Sequence, residues 1–132
     1  MAPVRVLAVD DQPIFLRTLR QLVAAAPGFE LAGEATSGEE ALERAAELQP
    51  DLVLLDVRMP GMDGVETARR LLAGERPSTV VLISLDPLPE PDADVLGSAG
   101  AAAFVRKQEL SVRRLLSVWA EHRPRAGSPR RP

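Results

Sequence analysis

The sequence contains no cysteine, so disulfide bonds, thiolate metal sites and cysteine nucleophiles are all excluded. It contains a single histidine, His122, which makes a Ser-His-Asp triad or a histidine zinc site untenable. The glycine-rich motifs GxGxxG and GxxxxGKS/T are also missing, so there is no signature of a nucleotide-binding enzyme. The conventional enzyme classes are therefore poorly supported by this chain.

Long apolar runs are missing as well. No apolar stretch approaches the roughly 18 residues that suggest a membrane span. The N-terminal segment MAPVRVLAVDD runs directly into a strand-like pattern and has none of the three regions of a signal peptide. We therefore expect a cytoplasmic protein that does not associate with a membrane, with a length of 132 residues that suits one domain.

Positive charge is scarce in most of the chain. The net charge is −3, but residues 123–132 (RPRAGSPRRP) hold four arginines and no acid. Without them, 12 Lys+Arg face 19 Asp+Glu, which gives −7 for residues 1–122. An acidic body repels nucleic acid, so we expect no direct DNA binding by this domain. We predict a folded domain over 1–122 and a disordered basic tail over 123–132.

Strand-like runs alternate with helical patterns along the chain. Four apolar runs predict strands at 4–9, 52–57, 79–84 and 101–105, and alternating apolar and polar residues predict another at 29–35. Helical patterns are found at 13–26, from 38 to Pro50, at about 64–73 and at 111–122, where Ser111 is a candidate N-cap. The first helix has an apolar stripe at near-helical spacing: Ile14, Leu16, Leu19, Leu22 and Val23. The alternation predicts an α/β fold, in which a five-stranded parallel sheet is covered by helices on both faces.

Polar side chains stand at the ends of the predicted strands. Asp10 and Asp11 end the first strand, and Asp56 ends the third. Ser84 ends the fourth strand and Lys107 follows the fifth. All five lie at the carboxyl ends of parallel strands, which meet at the edge where ligands of such sheets bind. Three carboxylates repel one another unless a cation holds them together, and oxygen ligands favour Mg²⁺, which commonly leaves positions for phosphate oxygens. The pattern therefore indicates a phosphoryl-transfer site.

Lys107 is the only lysine among 16 cationic side chains. Where any cation would serve, this sequence uses arginine, so the one lysine indicates a need for a compact ammonium charge rather than a planar guanidinium. Chance placement gives the same observation about once in 16.

Four segments, VDDQPIFL, LLDVRMPGMDG, VLIS and GAAAFVRK, together resemble the bacterial response-regulator receiver family of two-component systems. The resemblance covers residues 4–122 and is strongest to receivers of the transcription-regulating helix-turn-helix subfamily. It implies a flavodoxin-like, doubly wound (βα)5 fold with the strand order 2-1-3-4-5. It also implies phosphorelay signalling, in which the domain catalyses only its own phosphorylation and dephosphorylation.

The resemblance also implies roles for individual residues. Asp56 would be the phosphoacceptor, and Mg²⁺ would be bound by Asp10, Asp11, Asp56 and the backbone carbonyl of Arg58. Lys107 would pair with one phosphoryl oxygen.

Two further residues would form the switch. Ser84 would hydrogen-bond the phosphoryl group after transfer, and Phe104 would be the switch aromatic. A sensor histidine kinase or histidine phosphotransfer protein would supply the phosphoryl group. The face formed by a helix at about 93–99, the fifth strand and the last helix would then signal to a partner or output domain.

The sequence departs from the family at two places. Gln108 stands where the family usually has proline, directly after the lysine. A proline-rich stretch at 86–91 leaves only about 93–99 for the helix before the fifth strand, so we hypothesise that this helix is short or mobile and that dimerisation is weakened. Whether the chain forms a homodimer, and whether it is a stand-alone receiver or a truncated regulator, both stay open.

Alternatives remain for each residue and for the whole domain. Asp10 and Asp11 would also serve as an N-cap pair for the first helix. Ser84 would equally be a plain strand-end hydroxyl, Phe104 a core residue, and Asp56 a mere strand end. Asp63 and Glu66 are read as surface and helix-start acids. For the whole domain, the alternative is a pseudo-receiver that binds a partner without being phosphorylated.

Overall fold

The computed structural model describes residues 2–74, 77–85 and 101–123. These residues form five short strands. The strands are β1 (Val4–Val9), β2 (Phe29–Ala35), β3 (Leu52–Asp56), β4 (Thr79–Ser84) and β5 (Ala103–Arg106).

In the described ranges, four α-helices connect or follow these strands: α1 (Pro13–Ala25), α2 (Gly38–Leu48), α3 (Gly64–Leu72) and α4 (Val112–His122). A short 3-10 turn, Lys107–Glu109, follows β5. Three helices begin at side-chain caps, because Ser37, Asp63 and Ser111 each accept a hydrogen bond from the backbone N–H three residues later. The helix start predicted at Ser111 is therefore confirmed.

The five strands form one parallel sheet in the order β2-β1-β3-β4-β5. Helices α1 and α4 cover one face, where Leu19 and Leu115 are buried in one apolar core. Helices α2 and α3 cover the other face, where Ala41 and Ala68 are buried in a second core. Strand β3 is buried along its whole length, as expected for the central strand of a sheet covered on both faces. The predicted doubly wound α/β fold and its strand order are confirmed.

Two predicted details are wrong. Ile14 does not belong to the buried stripe of α1, since it is 80% exposed. The stripe instead begins at Phe15, which is partly buried against the same core as Leu19 and Val23, in better agreement with a period of 3.6 residues. The fifth strand begins at Ala103 rather than 101, because its ladder with β4 starts at the pair Val81 and Ala103.

Two predicted segments, the helix at about 93–99 and the basic tail from residue 124 onward, lie outside the described residues. Within the described part of the chain, none of the helices combines the length and the hydropathy needed to cross a bilayer.

Candidate functional site

The carboxylates of Asp10, Asp11 and Asp56 meet where β1 and β3 end. One oxygen of each lies within 4.8 Å of the others. Asp10 is completely buried and Asp56 is 5% exposed, whereas Asp11 is the most accessible of the three. We call the region formed by these acids together with Ser84 and Lys107 the carboxyl edge. The prediction that the strand ends bring the three acids together is confirmed.

The ammonium group of Lys107 lies among these acids. Its Nζ is 3.0 Å from Oδ2 of Asp10 and 3.5 Å from Oδ1 of Asp56. The lysine side chain is only 6% exposed, so these ion pairs are shielded from solvent. The one ammonium of the chain therefore bridges two of the three carboxylates.

The two oxygens of Asp10 have different surroundings. Oδ1 accepts a hydrogen bond of 2.8 Å from the backbone N–H of Gln12. Oδ2 is buried and receives no hydrogen bond of acceptable geometry, so its contact with Lys107 is an ion pair alone. The N-cap position of α1 is occupied by Gln12, without a side-chain cap. The alternative in which the two acids cap this helix is therefore wrong.

The Asp56 carboxyl is held in an unfavourable environment for a negative charge. Its pKa is raised to about 6, chiefly by burial and then by the neighbouring charge of Asp10. Lys107 opposes this effect, by its charge and by hydrogen bonding, without cancelling it. The edge as a whole holds three acids, two of them buried, against one ammonium, which leaves a surplus of negative charge.

The loop after Asp56 leads into α3, whose first residue packs closely against the backbone of Asp56 and Val57. The backbone N–H of Gly64 donates a 2.8 Å hydrogen bond to the carbonyl of Val57. A Cβ atom on Gly64 would lie 2.2 Å from the carbonyl oxygen of Asp56, so only glycine fits. Asp63 caps α3 and Glu66 pairs with Arg69 and Arg70, which confirms these two acids as helix-start and surface residues.

The remaining predicted site residues lie around the acids. Ser84 ends β4 and is buried, and it is paired in register with Arg106. Phe104 is half-buried and packs in the core on the α2 and α3 side, opposite Leu82. Arg58 is exposed and follows Asp56 by two positions. The packing of Phe104 agrees with a core residue and leaves its switch role a prediction.

Two contacts at this edge were not predicted from the sequence. The ring of Phe15 has its centroid 4.1 Å from Nζ of Lys107, a cation–π contact. The side-chain amide of Gln108 donates a 3.1 Å hydrogen bond to the carbonyl of Leu85, the residue after Ser84. Both contacts join residues that are far apart in sequence, so no local pattern indicates them.

A family model described as the response regulator receiver domain matches residues 6–118. The response regulator GacA of Pseudomonas viridiflava is 40% identical over 107 residues, covering 79% of this chain and 48% of GacA. The nitrate/nitrite response regulator protein NarL of Escherichia coli is 40% identical over 83 residues, covering 63% of this chain and 38% of NarL. The chain thus spans about half or less of the length of these curated relatives.

A solved structure gives the same result. The signal receiver domain of the putative response regulator NarL from Mycobacterium tuberculosis superposes with a TM-score of 0.79 at 32% identity. This comparison covers 93% of the present chain and 100% of the other. The fold, the acids at the carboxyl edge and these similarities lead to one conclusion: the chain belongs to the response regulator receiver domain family of bacterial two-component systems.

Proposed function

We propose that this domain accepts a phosphoryl group on Asp56 in a Mg²⁺-dependent reaction and passes the signal to a partner or output domain. The observation that carries the proposal is the convergence of three carboxylates and the sole lysine at the carboxyl edge. A purely structural role for this cluster is unfavourable, because buried like charges lower stability. The domain catalyses only its own phosphorylation and dephosphorylation.

Asp56 is the proposed nucleophile. A carboxylate oxygen of Asp56 attacks the phosphorus of a phosphohistidine, and the P–N bond breaks as the imidazole, protonated on its other ring nitrogen, leaves with the bonding electron pair. The product is an acyl phosphate on Asp56. The pKa of about 6 leaves this carboxyl mainly ionised at neutral pH, and a more basic carboxylate is a better nucleophile.

Mg²⁺ would be held by Asp10, Asp11, Asp56 and the backbone carbonyl of Arg58. The residues fit the ion in two respects: their oxygens lie within 4.8 Å of one another, and Oδ2 of Asp10 is buried without a hydrogen-bond donor. Oxygen ligands and surplus negative charge also suit a hard divalent cation. An ion held there would supply positive charge for the phosphoryl oxygens during transfer.

Two side chains are proposed to hold the phosphoryl group after transfer. Lys107 already contacts Asp56, so its ammonium is within reach of an oxygen attached to that carboxylate. Ser84 ends the strand next to β3 and would donate a hydrogen bond to a second phosphoryl oxygen. Movement of Ser84 would be transmitted to Phe104, whose strand pairs with β4, and from there to the face that signals onward.

The phosphoryl donor is proposed to be a sensor histidine kinase or a histidine phosphotransfer protein, which places the reaction in the cytoplasm. Two large apolar side chains next to the acids support a protein partner. Ile14, at the start of α1, is 80% exposed, and Leu85, directly after Ser84, is 53% exposed. Exposed apolar side chains beside a reactive group are suited to contact with another protein.

The proposal is tested by intact mass after incubation with acetyl phosphate or phosphoramidate, with and without Mg²⁺. We expect one phosphoryl group on the wild type only with Mg²⁺, and none on Asp56→Ala. Glu43→Ala, which removes an exposed carboxylate of α2, is the matched control and should be phosphorylated like the wild type. If the wild type gains no mass under any condition, the domain is a pseudo-receiver that binds its partner without phosphorylation.

A further inference from the structure

The ammonium of Lys107 has two kinds of neighbour. On one side are Oδ2 of Asp10 at 3.0 Å and Oδ1 of Asp56 at 3.5 Å. On another is the aromatic ring of Phe15, whose centroid is 4.1 Å from Nζ. The nitrogen itself lies over the ring, so the contact involves the charge and not merely the aliphatic stem.

Phe15 is itself firmly placed. It lies in the first turn of α1, and its backbone N–H donates to the carbonyl of Gln12 at 3.0 Å. Its ring is partly buried against the core formed by α1 and α4. Because α1 follows Asp10 almost directly, one short segment supplies both a carboxylate and the ring that contact Lys107.

We propose that Phe15 is a positioning residue, whose ring face holds the Lys107 ammonium at the carboxyl edge in the orientation needed for phosphoryl transfer. An aromatic face attracts a cation through its quadrupole and accepts no proton from it. The N–H donors of Lys107 therefore remain available for carboxylate and phosphoryl oxygens.

A charged or aliphatic residue at this position would not do the same. A fourth acid would add to the surplus negative charge of the edge and compete for the ammonium. Leucine, which the core-facing positions of α1 use at Leu16 and Leu19, would fill the space without attracting the charge. The chain has only three phenylalanines, no tyrosine and one tryptophan, so an aromatic side chain is an uncommon choice here.

The kinetic test rests on the proposed phosphorylation of Asp56. Initial rates with acetyl phosphate and Mg²⁺ are compared for the wild type, Phe15→Leu and Phe15→Tyr. We expect Phe15→Leu to be about 3- to 30-fold slower, since it loses the cation–π contact, and Phe15→Tyr to retain the rate. Phe29→Leu, at an aromatic residue that contacts Trp119 instead, is the control and should react like the wild type.

Fluorination separates the electrostatic effect of the ring from its packing. Phe15 is replaced site-specifically by phenylalanine carrying one, two or three ring fluorines, which progressively weaken the negative ring face with little change in shape. The rate should fall stepwise along this series, whereas the same series at position 29 should have no effect. A flat series at position 15 would overturn the proposal, even if Phe15→Leu fails to fold.

A spectroscopic measurement tests the placement without phosphorylation. Lys107 is the only lysine, so its side-chain methylene protons next to Nζ give one assignable NMR signal. That signal should lie upfield of a solvated lysine in the wild type and in Phe15→Tyr, and should lose this shift in Phe15→Leu. An unshifted wild-type signal contradicts the inference about Phe15. A shifted signal in a protein that is never phosphorylated supports the placement of Lys107 and refutes the proposed function instead.

Discussion

Polar side chains at the two ends of the sheet have opposite surroundings. At the amino end, which we call the amino edge, Asp51 accepts a 2.9 Å hydrogen bond from the backbone N–H of Arg5. The guanidinium of Arg5 donates to the carbonyls of Leu48 and Gln49 beyond α2, and Ser78 donates to the carbonyl of Pro50. Each of these groups has a partner of complementary polarity, so this edge adds to stability.

The carboxyl edge collects charges that do not balance. One ammonium contacts two of the three carboxylates, the pKa of Asp56 is raised to about 6, and one oxygen of Asp10 has no hydrogen-bond donor. The named polar groups of the amino edge therefore all have partners, whereas the carboxyl edge has surplus negative charge that suits a cation and a phosphoryl group. Polar residues at the two edges look alike in the sequence, but their surroundings give them opposite effects on stability.

The close approach of Gly64 to the backbone of Asp56 should be the feature of the carboxyl edge that is most sensitive to substitution. Gly64→Ala would place a Cβ atom 2.2 Å from the carbonyl oxygen of Asp56 and 2.6 Å from Cα of Val57. We expect the free energy of unfolding to fall by about 3 kcal/mol or more, since backbone must move. Urea denaturation followed by the fluorescence of Trp119 measures this. Gly74→Ala is the control, because its Cβ would meet only the carbonyl of Leu71 at 3.5 Å. Equal losses in both variants would contradict the tight fit at Gly64.

Removing one carboxylate from each edge should have opposite effects. In metal-free protein at pH 7, Asp56→Asn should raise the free energy of unfolding by roughly 1–3 kcal/mol, because it removes a buried, repelled charge. Asp51→Asn should lower it by about 1 kcal/mol, because a charged acceptor is lost from the backbone N–H of Arg5. Chemical denaturation of both variants checks the signs, and a loss of stability in both would remove the distinction between the edges.

The pH dependence sharpens the same contrast. Because the pKa of Asp56 is raised from 3.8 to about 6 in the folded protein, the folded state retains its proton to higher pH than the unfolded state. The contribution of Asp56 to stability is therefore fully present below pH 3.8 and is lost as the pH rises through about 6. The difference between the wild type and Asp56→Asn should grow over this interval and level off above it. A difference independent of pH would show that the charge of Asp56 is not the cause.

The smallest expected effect is at the amino edge. Ser78→Ala removes a buried hydroxyl that donates to the carbonyl of Pro50 at 2.7 Å. We expect a loss of about 1 kcal/mol in the free energy of unfolding, while the rate of phosphorylation by acetyl phosphate stays unchanged. Parallel denaturation and mass measurements test this. A clear change in phosphorylation rate would show that the two edges are coupled through the sheet.

The sequence predicted the fold largely because strand and helix patterns alternate without interruption from β1 to β4. The meeting of Asp10, Asp11 and Asp56 followed from one geometric rule, that parallel strands end at the same edge. The presence of a single lysine among the cationic side chains indicated a special role for Lys107.

Other features depend on contacts that a sequence does not encode locally. Ile14 and Phe15 are adjacent and both apolar, and only the rotation of α1 against the sheet exposes one and places the other beside Lys107. The need for glycine at Gly64 arises from the approach of α3 to the end of β3. The raised pKa of Asp56 depends on its depth of burial, which a position at a strand end leaves undetermined.

Because every cationic side chain but one is an arginine, the cationic side chains of this chain differ in their reactivity. Guanidinium groups keep their charge throughout the physiological pH range and react poorly with acylating reagents. Apart from the α-amino group, Lys107 is the only amine in the chain, and its side chain is 6% exposed. Apart from the α-amino group, an amine-directed reagent would therefore label only the carboxyl edge, and protection of Lys107 would report directly on what occupies that edge.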